Sequence, residues 1–150
     1  MSAEVFATTT SIDMGRGQVV SATARGKSFV LDEPPALGGT DTGMNPVEAL
    51  LGALGGCKCI VAKSFAKSQG IALKAIEIHL EGTLDPAGFL GSDPHAKVGF
   101  SEIRTRYRID ADNTDEEVAA FIDYIDSHCP VMDTLVNTPS FRHTIERVNL

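Results

Sequence analysis

The sequence predicts an α+β protein in which largely antiparallel strands pack with a long central helix and a second, shorter helix. Three observations predict it. An apolar helical pattern runs from Asn45-Pro46 to about Ser68. Two segments, Ala75 to Gly82 and Ile103 to Asp110, alternate apolar and polar residues with period two, as half-buried strands do. Thr114-Asp115-Glu116-Glu117 is a capping-box pattern that opens a second helix. The order strands, long helix, strands, helix, strand puts the helices on one side of antiparallel sheet.

Each element has a local reason. Gln18 to Leu31 is rich in β-branched and apolar residues broken by Arg25-Gly26-Lys27, which suits two strands and a tight turn. Asp32-Glu33-Pro34-Pro35 ends the pairing, because proline donates no ladder hydrogen bond. Leu37 to Met44 contains three glycines and reads as loop. Asn45 is a good N-cap, Pro46 suits the first helical position, and Glu48 complements the positive end of the helix dipole. Gly70 suits the residue just past the helix.

From Ala49 to Leu54 nearly every residue is apolar or glycine, so this stretch is expected to be buried on all sides. Lys58, Lys63 and Lys67 are expected to form a polar stripe on the later turns. Gly52, Gly55 and Gly56 each cost about 1 kcal/mol against alanine inside a helix. They imply a neighbour packed on bare backbone, or a need for room around Cys57. Asp85 to Pro94 is rich in turn residues and reads as a mobile loop. The second helix carries Val118, Phe121, Ile122 and Ile125 on one face and ends near His128. Thr144 to Val148 reads as a last strand.

A chain of 150 residues is about one domain, so residues 1–150 are expected to form a single one. A hydrophobic content of 43% supports one sizeable core. The net charge of −7 argues against nucleic acid or an anionic membrane as partner. No apolar run is long enough to span a bilayer, and the N-terminus does not read as a signal peptide. The expected compartment is the cytoplasm. There, three cysteines read as reduced, catalytic or metal-binding thiols rather than a disulfide framework.

Cys57 and Cys129 are candidate reactive thiols. Only a thiolate attacks a peroxide or a disulfide, so a reactive cysteine needs a cation, a helix N-terminus or a base beside it. Cys57 lies about eleven residues into its helix, too far for the dipole to help much. Arg16, in Gly15-Arg16-Gly17, and Arg25 are the candidate cations, and the residues alone do not choose between them. The plainer reading of both cysteines is burial as small hydrophobes. Cys59 is expected to be a spectator, because helix positions two apart do not face each other. For the same reason Cys57, Cys59, His128 and Cys129 make a poor tetrahedral zinc set, and no metal is expected. His128 is expected to be exposed. Arg104, Arg106 and Arg108 share one strand face, expected to be solvated. Phe65, Phe89, Phe100 and Phe121 read as core or pocket wall, with Phe89 and Phe100 placed to line an apolar entrance.

Three stretches taken together resemble the OsmC/Ohr family of thiol-dependent peroxide-reducing proteins. They are Asp32-Glu33-Pro34-Pro35-Ala36-Leu37-Gly38-Gly39, Asn45-Pro46-Val47-Glu48 through Cys57, and Cys129-Pro130-Val131 through Leu135. The resemblance spans about Gly26 to Val136. It implies an intertwined homodimer with two active sites at the subunit interface. It implies that Cys57 is the peroxidatic cysteine and Cys129 the resolving one. The implied cycle reduces an organic hydroperoxide, passes through a Cys57 sulfenic acid to a Cys57–Cys129 disulfide, and is reset by an external dithiol such as lipoamide. No metal or bound cofactor is implied.

The chain departs from the pattern at one place. Organic-hydroperoxide-resistance members carry a catalytic glutamate directly after the proline. Here that position is Val47, and Glu48 comes one place later. Nine residues of straight helix put Glu48 on the face opposite Cys57 and about 13 Å away. Glu48 can then support Cys57 only across a dimer or through a bend at the glycines; otherwise it serves its own helix end. Two other classes of function stay open: a redox-sensing or small-molecule binding module, and a structural protein with inert thiols.

Overall fold

The computed structural model describes residues 3–148. Three strands, β1 (Thr9–Ile12), β2 (Val20–Ala24) and β3 (Lys27–Leu31), form an antiparallel sheet in that order. Ala24 pairs with Lys27, so Arg25-Gly26 is a two-residue turn. Both turn residues have positive φ, 52° and 72°, which matches the twist of the strands they join. The expected pair of strands is therefore present. β1 is an addition, and its signal was the β-branched run Thr8-Thr9-Thr10.

Asp32 lies just past β3 and organises the loop from Glu33 to Thr42. Its buried carboxylate accepts from the Glu33 N–H at 2.9 Å and the Thr40 N–H at 3.0 Å. It also accepts from the Thr40 hydroxyl at 2.6 Å, the Thr42 N–H at 3.1 Å and the Thr42 hydroxyl at 2.9 Å. Five donors close the glycine-rich loop on one anion. A short 3-10 turn, Pro35–Leu37, fills the loop and ends at Gly38 with φ 84°. Gly39 is required by space: a Cβ there would stand 1.7 Å from the Glu33 carbonyl oxygen.

Helix α1 (Pro46–Phe65) opens on a reciprocal cap. The Glu48 N–H donates to Asn45 Oδ1, and the Asn45 N–H donates to Glu48 Oε2, both at 2.9 Å. The described chain divides into two compact units after Ala53, within this helix. The helix stops three residues short of Ser68, and Gly70 turns the chain out of it with φ 71°. Its early turns correct one expectation. They are not buried on all sides, since Leu50 is 38% exposed, and further along Ile60 is 68% exposed.

The second unit is built on a long hairpin, β4 (Leu73–Thr83) and β5 (Glu102–Ala111), paired antiparallel with a bulge at Leu73/Ala75. Its outer face carries Glu77, His79, Glu81, Arg104, Arg106 and Arg108, all exposed, as expected for the three arginines, with an ion pair of 2.8 Å between Arg108 and Glu77. Its inner face presents Ile76, Tyr107 and Ile109 to a core of Val61, Ala62, Ala66, Ile71, Phe121 and Ile125. Phe121 and Ile125 come from α3 (Asp115–Ser127), where the Thr114–Glu117 capping box forms as the pattern predicts. Fully burying one such side chain is worth about 1.5–3 kcal/mol.

Two further expectations are corrected here, and one element is added. The stretch read as a mobile loop contains a helix, α2 (Pro86–Leu90), because Asp85 caps its start and Gly91 its end. Pro130–Val136 forms a short helix, α4, with proline at its first position. Thr144 to Val148 is not a strand: residues 138–148 take no regular structure, and an alternating pattern becomes a strand only where a partner edge accepts its backbone groups.

The Asp32 loop can be tested by pH and by substitution. The donors hold the Asp32 carboxyl well below the usual carboxylate range, the Thr40 hydroxyl contributing most and burial opposing it. A depressed folded pKa contributes stability that is complete above the unfolded value, about 3.9, and is withdrawn as pH falls below it. Protection of the Thr40 and Thr42 amides from hydrogen exchange should therefore fall with acid between about pH 5 and 2. Asp32→Asn should show weak protection at neutral pH and little further loss. Gly39→Ala should destabilise by about 1–3 kcal/mol in denaturant melts, because backbone and not a flexible side chain must yield.

Candidate active site

Cys57 and Cys129 meet in the second unit. Cys57, half-buried on α1, packs against the apolar core. Cys129 is 1% exposed at the N-cap of α4, where the Met132 N–H donates to its Sγ at 3.4 Å. Cys57 lies near enough to Cys129 to affect its titration, and both are free thiols. Burial pushes the Cys129 thiol up. The N–H groups of Met132 and Val131 pull the other way, and the neighbouring Cys57 adds to the rise. Cys129 therefore keeps its proton at neutral pH. Cys59 is half-buried two positions along α1, and burial raises it too.

Beside the sulfurs lies a group whose surroundings differ from the expectation. Lys58 belongs to no exposed stripe: it is 1% exposed. Its Nζ donates to Asp126 Oδ1 of α3 at 2.6 Å and to the Tyr107 hydroxyl of β5 at 2.8 Å. Tyr107 itself donates to the same Asp126 oxygen. Burial, then Asp126, then the charges of Cys129 and Cys59, push the Tyr107 hydroxyl far above its ordinary range. The signal was available. Leu54, Lys58, Val61 and Ala62 recur at the spacing of one helix face, so Lys58 occupies a core position. Tyr107 likewise falls on the inward face of β5.

The other expected residues lie elsewhere. Arg16 is exposed in the connection between β1 and β2, and Arg25 is in the β2–β3 turn. Glu48 is occupied by its capping role. All three belong to the first unit. His128 is exposed and stacks on Tyr124, ring centroids 3.8 Å apart. Phe89 is exposed on α2, whereas Phe100 packs on the bare backbone of Gly82. Of the three helix glycines, Gly55 has a close neighbour, Leu80. Among the described residues no group of three or more His, Cys, Asp or Glu could hold a metal ion, and no helix is long and apolar enough to cross a membrane.

An antiparallel α+β framework that brings two free cysteines together, one within a long helix and one at the start of a short one, defines a class. The family model described as OsmC-like protein matches residues 39–144, and the chain belongs to that family. It is 29% identical over 103 residues to a hydroperoxide reductase of Mycoplasma genitalium, covering 69% of this chain and 70% of the relative. Its fold is similar to the crystal structure of an OsmC-like protein from Mycoplasma pneumoniae, with a TM-score of 0.78, 22% identity and 91% of each chain covered. It is also similar to an organic hydroperoxide resistance protein OsmC from Legionella pneumophila, with a TM-score of 0.67, 20% identity, and 90% and 93% of the two chains covered.

The Lys58–Asp126 pair should respond asymmetrically to mutation. Asp126→Ala leaves an ammonium buried with only a phenol for company, and should cost about 3–5 kcal/mol in denaturant melts. Lys58→Met should cost less, because the Asp126 side chain is 39% exposed and can take up water.

Proposed function

We propose that this chain is a thiol-dependent hydroperoxide reductase acting on organic hydroperoxides. The observation that carries the reading is the proximity of two free thiols, Cys57 and Cys129. The names of relatives support it: one is a hydroperoxide reductase, another an organic hydroperoxide resistance protein.

The Cys57 thiolate attacks one peroxide oxygen. An S–O bond forms, the O–O bond breaks, the alcohol leaves with a proton, and Cys57 becomes a sulfenic acid. The Cys129 sulfur then attacks the Cys57 sulfur. The S–S bond forms, the S–O bond breaks, and the oxygen leaves as water carrying the Cys129 thiol proton. A buried thiol that keeps its proton until this step suits a resolving role. An external dithiol of the lipoamide kind returns both thiols and is itself oxidised to a disulfide.

Arg16 or Arg25 is the proposed cation that favours the Cys57 thiolate, with Glu48 as polar support from a second copy of the chain. The exposed apolar residues of α1, Val47, Leu50 and Ile60, support a homodimer. Exposed Phe89 supports an apolar substrate. A reducing compartment such as the cytoplasm supplies the dithiol.

The test is mass spectrometry on the reduced protein before and after one equivalent of cumene hydroperoxide. The expected result is a loss of about 2 Da mapped to a Cys57–Cys129 disulfide and reversed by dithiol. Cys57→Ser should consume no peroxide, and Cys129→Ser should stop at a dimedone-trapped sulfenic acid. Unchanged thiols would overturn the reading in favour of a binding module.

A further inference from the structure

We propose that Lys58, Tyr107 and Asp126 are positioning residues that hold the Cys129-bearing helix end within reach of Cys57, and so set the speed of disulfide closure. The kinetic meaning of this strap rests on the reading of Cys57 and Cys129 as a peroxidatic and resolving pair.

The three groups stand where a strap would have to be. Lys58 is the residue directly after Cys57 on α1, and Asp126 precedes Cys129 by three residues in the last turn of α3. One ion pair of 2.6 Å therefore ties together the backbone segments that carry the two sulfurs. Tyr107 adds a third point from β5, bonded to both partners. The tie falls where the chain needs one. The last backbone hydrogen bond of α3, from the His128 N–H to the Tyr124 carbonyl, ends just before Cys129, and α4 starts afresh with the Asp133 N–H on the Cys129 carbonyl. Cys129 thus sits at a joint between two helices, and the direction of its Cβ depends on how the α4 cap, where the Met132 N–H meets its Sγ, is held at the end of α3.

Closure is sensitive to that direction, because a disulfide demands narrow Cβ–Cβ distances and a dihedral near 90°. Attack on peroxide has no such need for Cys129. Stability alone does not explain the strap. A well-packed apolar residue at a core position usually serves as well as a buried ion pair, and fixing register is the best-attested use of such pairs.

The test compares wild type, Lys58→Met and the double variant Lys58→Met/Asp126→Asn by rapid quench after cumene hydroperoxide. Dimedone capture at Cys57 reads the first step, and the Cys57–Cys129 disulfide reads the second. The double variant buries no unpaired charge, so it decides the matter if the single variant folds poorly. In both variants the first step should run at the wild-type rate while closure slows about 10- to 100-fold, as a displacement near 1 Å produces. The double variant should do so with its thermal stability restored.

Closure at the wild-type rate in the double variant would overturn the proposal, as would equal slowing of both steps. If peroxide leaves wild-type Cys57 unoxidised, the reductase reading fails by itself. Closure is then driven with diamide. Slow closure in both variants keeps the strap, and equal rates, or a wild type that diamide cannot close, overturn it.

Discussion

A buried ammonium must recover from protein groups the solvation it gives up to water, and Lys58 recovers it from Asp126 and Tyr107. That requirement reaches across the second unit. The helix that carries Cys57, the inner face of the long hairpin and the end of the helix that leads to Cys129 must all arrive at one point. An apolar contact tolerates sliding, whereas a charge satisfied by two named oxygens does not. The core around it, from Val61 to Ile125, supplies most of the burial, but the polar contact fixes which residues face which.

The first unit satisfies its buried charge in the opposite way. Asp32 gathers every partner from the next ten residues of the chain, so one carboxylate closes a loop of glycines and prolines. The two partners of Lys58 lie 49 and 68 residues along the chain. A local solution organises a turn; a distant one organises a tertiary arrangement. Cys129 shows the same balance on a neutral group, where burial favours the thiol and the N–H groups of a helix start favour the thiolate. Burial prevails, and the thiol keeps its proton.

Much of this was written locally. The period-two alternation of β4 and β5, the Thr114 capping box, the Asn45-Pro46 start and the Arg25-Gly26 turn each act within a few residues, and each appears where its pattern stands. The pairing of Cys57 with Cys129 was legible only through the resemblance of whole stretches, since no local rule links residues so far apart. Two of the misreadings turn on packing and the third on a local cap. Ala49 to Leu54 has the composition of a buried helix, yet exposure depends on what else packs there. Thr144 to Val148 has the pattern of a strand, yet a strand needs an edge. Asp85 to Pro94 has the residues of a loop, yet an aspartate and a glycine at the right spacing cap a turn of helix.

By itself the sequence determined the main elements, β2 to β5, α1 and α3, with their caps and turns, and the family. These come from steric limits on φ, from hydrogen-bond capping and from hydrophobic periodicity, all of which act over one or two turns of chain. Tertiary structure alone decided that Tyr107 and Asp126 are the partners of Lys58, and that Cys129 is sealed near Cys57. Those outcomes depend on the desolvation of charges and thiols, and desolvation is a property of the packed neighbourhood, which no stretch of sequence contains.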